Sequence, residues 1–97
     1  MATSARRDDE SRSDARRLVR ETQRELEESE AHVTRLESEI AIVTARLADP
    51  GMYTRSDGVD EATRLGTELE ALKRKLDYAL ARWTAASERL ESGTPSQ

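Results

Sequence analysis

Two runs of seam-forming residues, each advancing by three and four without a slip, stand on either side of a single proline. The first reads Val19, Thr22, Leu26, Ser29, Val33, Leu36, Ile40, Val43, Leu47. The second reads Ala62, Leu65, Leu69, Leu72, Leu76, Ala79, Trp83, Ala86, Leu90. That alternation marks the a and d positions of a heptad, so each segment is a helix with one narrow seam. Between them lies Leu47-Ala48-Asp49-Pro50-Gly51-Met52-Tyr53. Pro50 disfavours helical geometry at Asp49 and lacks the amide a continuing helix would use. Gly51 gives the chain freedom to turn. Two helices on a short connection fold back antiparallel. The expected fold is therefore all-α: a two-helix antiparallel coiled-coil hairpin with a Pro/Gly-containing tip loop.

The boundaries follow from the breakers. Residues 1–14 are rich in Ser, Arg and Asp with almost nothing to bury, and are expected to be a disordered polar tail. Helix 1 is expected from about residue 15 to 48, roughly 50 Å long at about 1.5 Å per residue, capped by Ser13 or Asp14. The tip loop spans 49–56. Helix 2 runs from about 57 to 92, capped by Ser56 or Asp57, with Asp60 and Glu61 suiting the positive end of its dipole. Gly93 and Pro95 stop it, leaving 93–97 as a frayed tail. Pro50, Met52 and Tyr53 are expected to form a structural plug at the tip, with contact to a partner as the alternative.

The preferred register sets Leu47 on Leu65, Val43 on Leu69, Ile40 on Leu72, Leu36 on Leu76 and the large Trp83 on the small Ser29. Flanking charges then meet as Arg46–Glu68, Glu39–Lys75, Glu25–Arg89 and Glu37–Lys73. Such exposed pairs contribute only a few tenths of a kcal/mol each, so they select register more than they stabilise it. A hairpin with one thin seam is expected to be marginally stable alone.

Composition narrows the function. The chain has 97 residues, no Cys, no Phe and a single His. No Cys-based metal site is available, and no cofactor is expected. No run approaches the roughly 20 apolar residues of a membrane span, and the first residues lack a signal-peptide core, so a cytoplasmic protein without membrane contact is expected. A catalytic reading fails on inventory. His32 flanks the seam as a solvated helix histidine, and the acidic pairs Asp8-Asp9 and Glu27-Glu28 converge on no cleft.

Charge is distributed unevenly. Residues 1–24 hold seven Arg against five acidic residues, and residues 71–97 hold five Lys/Arg against three. The two middle quarters each hold two Arg against six acidic residues. Folding the chain in half makes the open end basic and the tip acidic. Arg16, Arg17, Arg20, Arg24, Lys73, Arg74, Lys75, Arg82 and Arg89 are the candidate contacts to a phosphate backbone, with Tyr78 near Lys75 able to stack on a base. The bland reading of the same residues is a solubilising helix surface.

Several stretches carry a resemblance. They are Arg17-Leu18 through Gln23-Arg24-Glu25-Leu26-Glu27, Leu36-Glu37-Ser38-Glu39-Ile40, the Leu47-Ala48-Asp49-Pro50…Tyr53 hinge, Leu65…Leu69-Glu70-Ala71-Leu72, Arg82-Trp83 and Glu88-Arg89-Leu90-Glu91. Together they resemble the C-terminal coiled-coil domain of ABC-F ATPases of the Uup type, over roughly Arg17 to Glu91. The hinge and the Arg-Trp pair are the specific parts. The resemblance implies a domain that follows tandem ATP-binding cassettes in proteins acting on ribosomes, with DNA binding associated with the Uup type. The chain departs from the full-length pattern in having no G-x-x-x-x-G-K-[ST] phosphate loop, so it is not expected to bind or hydrolyse ATP by that route. It reads as an excised domain or a stand-alone relative. Ser29 also replaces a position usually bulkier in the family.

Two functions are thus expected to compete. One is a non-catalytic accessory domain binding DNA or ribosomal RNA, independently of sequence, through the basic open end. The other is a protein-interaction coiled coil that self-associates or docks on an ABC-F cassette protein or the ribosome.

Overall fold

The structure, a computed structural model, describes residues 2–93. It is a helical hairpin with overall dimensions of 81 × 24 × 14 Å. Helix α1 spans Ala2–Leu47, a short helix α2 spans Pro50–Tyr53, and α3 spans Gly58–Gly93. The two long helices pack against each other along their heptad seams, as the spacing predicts.

The seam is uneven across its width. Every seventh residue is deeply buried: Thr22, Ser29, Leu36 and Val43 on α1, and Leu65, Leu72, Ala79 and Ala86 on α3. Their heptad partners Val33, Ile40, Leu47, Ala62, Leu69 and Leu76 are half-buried and close the sides. The seam also changes along its length. Near the tip it is built of Leu36, Val43, Met52, Leu65 and Leu72, whereas toward the open end it is closed by the small Thr22, Ser29, Ala79 and Ala86.

This gradient corrects one expectation. Trp83 does not fill the layer at Ser29. Ser29 is buried, while Trp83 stays 37% exposed and lies over the flank with Glu30, Val33, Thr34 and Leu80. The small residues bring the helices too close for an indole to enter between them. Ser29 Oγ is left with no hydrogen-bond partner among the described residues. Thr22, by contrast, donates its hydroxyl to the Leu18 carbonyl at 2.9 Å. A buried hydroxyl without a partner costs about 1–3 kcal/mol, and alanine is also the better helix former. Ser29→Ala should therefore stabilise the hairpin by about 1 kcal/mol, raising the melting temperature by roughly 4–8 °C in a thermal circular-dichroism scan.

The ends require further corrections. α1 begins at Ala2, so residues 2–14, expected as a disordered tail, continue the helix. They contain no Gly or Pro, and extending an existing helix avoids the cost of nucleation. Asp14 is not a cap but pairs with Arg17 at 3.0 Å within the helix. At the other end α3 reaches Gly93, and the rest of the frayed-tail expectation, residues 94–97, lies outside the described residues.

The expected tip loop contains α2. Pro50 opens it where a missing amide costs nothing, and the Asp49 carboxylate caps it by accepting from the Gly51 amide at 3.0 Å. Gly51 turns no corner, because no glycine among the described residues has a positive φ. Asp57 stands just before α3, its carbonyl accepting the Glu61 amide at 3.0 Å, but its carboxylate lies 3.9 Å from Arg55 and makes no capping bond among the described residues.

Of the four cross-seam ion pairs expected, Glu25–Arg89 forms at 2.6 Å, but Glu25 also takes Arg82 at 3.8 Å, so the pair does not distinguish one alignment from another. Arg46 turns to Glu61 at 2.6 Å instead of Glu68, and Lys73 to Glu70 of its own helix at 3.8 Å instead of Glu37. Glu39 and Lys75 form no ion pair among the described residues.

Candidate nucleic-acid interface

Arg16, Arg20 and Arg24 are spaced by four on α1, so they line up as a stripe along one side of the helix. All three are exposed, and none makes an ion pair among the described residues. Arg16 and Arg20 border a shallow apolar depression formed with Ala15 and Val19.

Four of the other expected cations are held by carboxylates. Arg17 pairs with Asp14, and Lys73 with Glu70. Arg82 and Arg89 both reach across the seam to Glu25, at 3.8 and 2.6 Å. Exposed pairs of this kind contribute less than about 1 kcal/mol, so they reduce these cations' availability without removing it.

The remaining two, Arg74 and Lys75, make no ion pair among the described residues and lie away from the open end. They border a groove at the middle of the hairpin together with Ala71, Tyr78 and His32 from the opposite helix. The nine cations expected as one surface are thus three groups: a free stripe at the open end, a set engaged in pairs, and a mid-hairpin groove. His32, expected as a solvated helix histidine, lines this groove. The available signal was its heptad place: His32 and Lys75 flank the same side of their respective seams, and antiparallel pairing brings such positions together.

At the tip, Met52 is buried in the core cluster and acts as the expected plug. Tyr53 is only half covered, and its hydroxyl donates to the Leu47 carbonyl at 2.8 Å, tying α2 to the end of α1. Glu61, its side chain largely covered, gathers Arg46 at 2.6 Å, Arg64 at 3.3 Å and Arg55 at 3.8 Å. The basic residues of the tip are therefore spent on an internal carboxylate, and the tip offers no free cationic stripe like that of the open end.

The family model of the ABC transporter C-terminal domain matches residues 17–88, a span that holds the first seam, the second as far as Ala86, the Asp49-Pro50 break and α2. The chain belongs to this family. The match agrees with the resemblance to C-terminal domains of ABC-F type ATPases and makes the domain an accessory part of ABC proteins. Comparisons with curated proteins and with solved structures return no match. Within the matched span lie Arg17, Arg20, Arg24 and Arg82 and the whole mid-hairpin groove, whereas Arg16 and Arg89 each stand just outside it. No described helix of the domain is long and apolar enough to cross a membrane.

Proposed function

We propose that this domain is a non-catalytic accessory arm that binds nucleic acid, DNA or ribosomal RNA, independently of sequence through its basic open end. The observation that carries the reading is the stripe of Arg16, Arg20 and Arg24, exposed and without an ion pair among the described residues, on the end of α1 farthest from the acidic tip. Three guanidiniums in line along roughly 12 Å of helix match the repeat of a phosphate backbone and carry no base-reading geometry. Membership of an ABC accessory-domain family is compatible with this role.

The test is fluorescence anisotropy with a labelled DNA duplex and a labelled structured RNA over a series of salt concentrations. Saturable binding that weakens steeply with salt is expected. Replacing Arg16, Arg20 and Arg24 together by Gln should flatten the log–log salt dependence by about 2–3 and weaken binding about tenfold at moderate salt. If neither nucleic acid binds at low salt, the reading falls and the domain is a protein-docking coiled coil.

A further inference from the structure

The mid-hairpin groove differs in kind from the arginine stripe. Ala71, Arg74, Lys75 and Tyr78 are spaced by three, four and seven residues, which places all four side chains on one face of α3. His32 closes the groove from α1. Tyr78 is 67% exposed, an unusual state for an aromatic side chain, and its hydroxyl appears in no hydrogen bond among the described residues. Among the described residues no carboxylate lines the groove, although the chain has more acidic than basic residues. Arg74 and Lys75 make no ion pair among the described residues, while neighbouring Lys73 is drawn off to Glu70.

An exposed aromatic face, two unpaired cations and an imidazole around one small-floored groove make up the elements of a site for a base and its phosphate. We infer that this groove takes one unpaired nucleotide of a nucleic-acid strand, with the base stacked on Tyr78 and the adjoining phosphate held by Arg74, Lys75 and the His32 ring N–H. Ala71 keeps the floor low enough for the base to lie against the helix. Inside a duplex a base has no free face to offer, so the groove selects unpaired segments, whereas the stripe at the open end contacts any backbone. The inference rests on the nucleic-acid reading above and adds to it a second contact with a strand preference.

The experiment compares three probes on the intact chain: a labelled fifteen-residue oligothymidylate, an abasic strand with the same number of phosphates, and polyglutamate. Binding is read by anisotropy and by the ring-proton NMR signals of His32, which report on the groove alone because the chain has a single histidine. The oligothymidylate should bind about tenfold tighter than the abasic strand, the scale of one base stacked on an aromatic side chain. It should also shift the His32 signals. Tyr78→Leu, at a position exposed enough to leave the fold intact by circular dichroism, should bring the two strands to equal affinity without changing duplex binding.

Equal binding of intact and abasic strands, or an unchanged preference in the Tyr78→Leu variant, overturns the nucleotide groove while the open-end reading stands. If polyglutamate shifts His32 as strongly as the oligonucleotide does, the groove is an acidic-peptide site instead. Absence of binding to any nucleic acid overturns both readings.

Discussion

Leu65→Ala should lower the stability of the hairpin by about 3 kcal/mol, within the 2–5 kcal/mol seen for buried leucines, and its melting temperature by roughly 12–24 °C. Leu65 has no exposed surface, the only leucine of the seam for which this is so, and it sits where α1, α2 and α3 meet. Its neighbours in the cluster include Val43, Met52 and Leu72. Removing its branched end opens a cavity that a single seam cannot close, because there is no second layer to move inward. The effect should exceed that of the same truncation toward the open end, where the buried residues are already small. Ile42→Ala is the control. Ile42 is 61% exposed, so its loss should change stability by no more than about 0.5 kcal/mol. Parallel urea or thermal titrations of the two variants followed by circular dichroism would check both values. Equal effects would mean that the seam is not where the helices are held.

That contrast shows how far the sequence could be read. Heptad spacing placed all eight deeply buried seam positions on the correct faces, because burial along a helix follows from periodicity alone. It could not say that one heptad position would be buried more deeply than the other, or that Trp83 would be left on the flank. Those outcomes depend on how closely the helices approach, which is set jointly by Ser29, Ala79 and Ala86 from two different segments. The local chemistry of Asp49-Pro50 does carry a helix-start signature, a capping carboxylate before a proline, which is why α2 stands where a loop is expected.

The candidate interface was legible as a list of cations and not as a surface. Sequence alone does not reveal that Glu25 takes both Arg82 and Arg89, or that Glu70 takes Lys73, since each choice is made among several carboxylates within reach. The groove emerged only when antiparallel packing carried His32 to the face that Arg74, Lys75 and Tyr78 share.

Two glycines of α3 should respond to alanine with opposite signs. Gly66 has open space around it, so Gly66→Ala should stabilise the hairpin by about 0.8–1 kcal/mol, the ordinary gain in helix propensity. Gly58 is buried at the first turn, where a Cβ would fall 2.1 Å from the Met52 carbonyl oxygen, 3.0 Å from its carbon and 3.2 Å from the Tyr53 Cα. All three are backbone atoms, so no side-chain rotation relieves the contact. The α2 backbone must retreat, and it would take with it the buried Met52 side chain and the 2.8 Å bond from the Tyr53 hydroxyl to Leu47. Gly58→Ala should therefore destabilise by about 1–3 kcal/mol despite the better helix former, the usual range for overpacking a closed site. Measured side by side in urea, a gain at residue 66 and a loss at residue 58 would establish that the tip is a packed unit closing against the start of α3. A gain at both would mean that α2 stands clear of α3 and that Met52 contributes little to the core. Because Met52 and Leu65 share one cluster, the Gly58→Ala and Leu65→Ala losses should also fall short of additivity when combined, each variant having already loosened the same end of the seam.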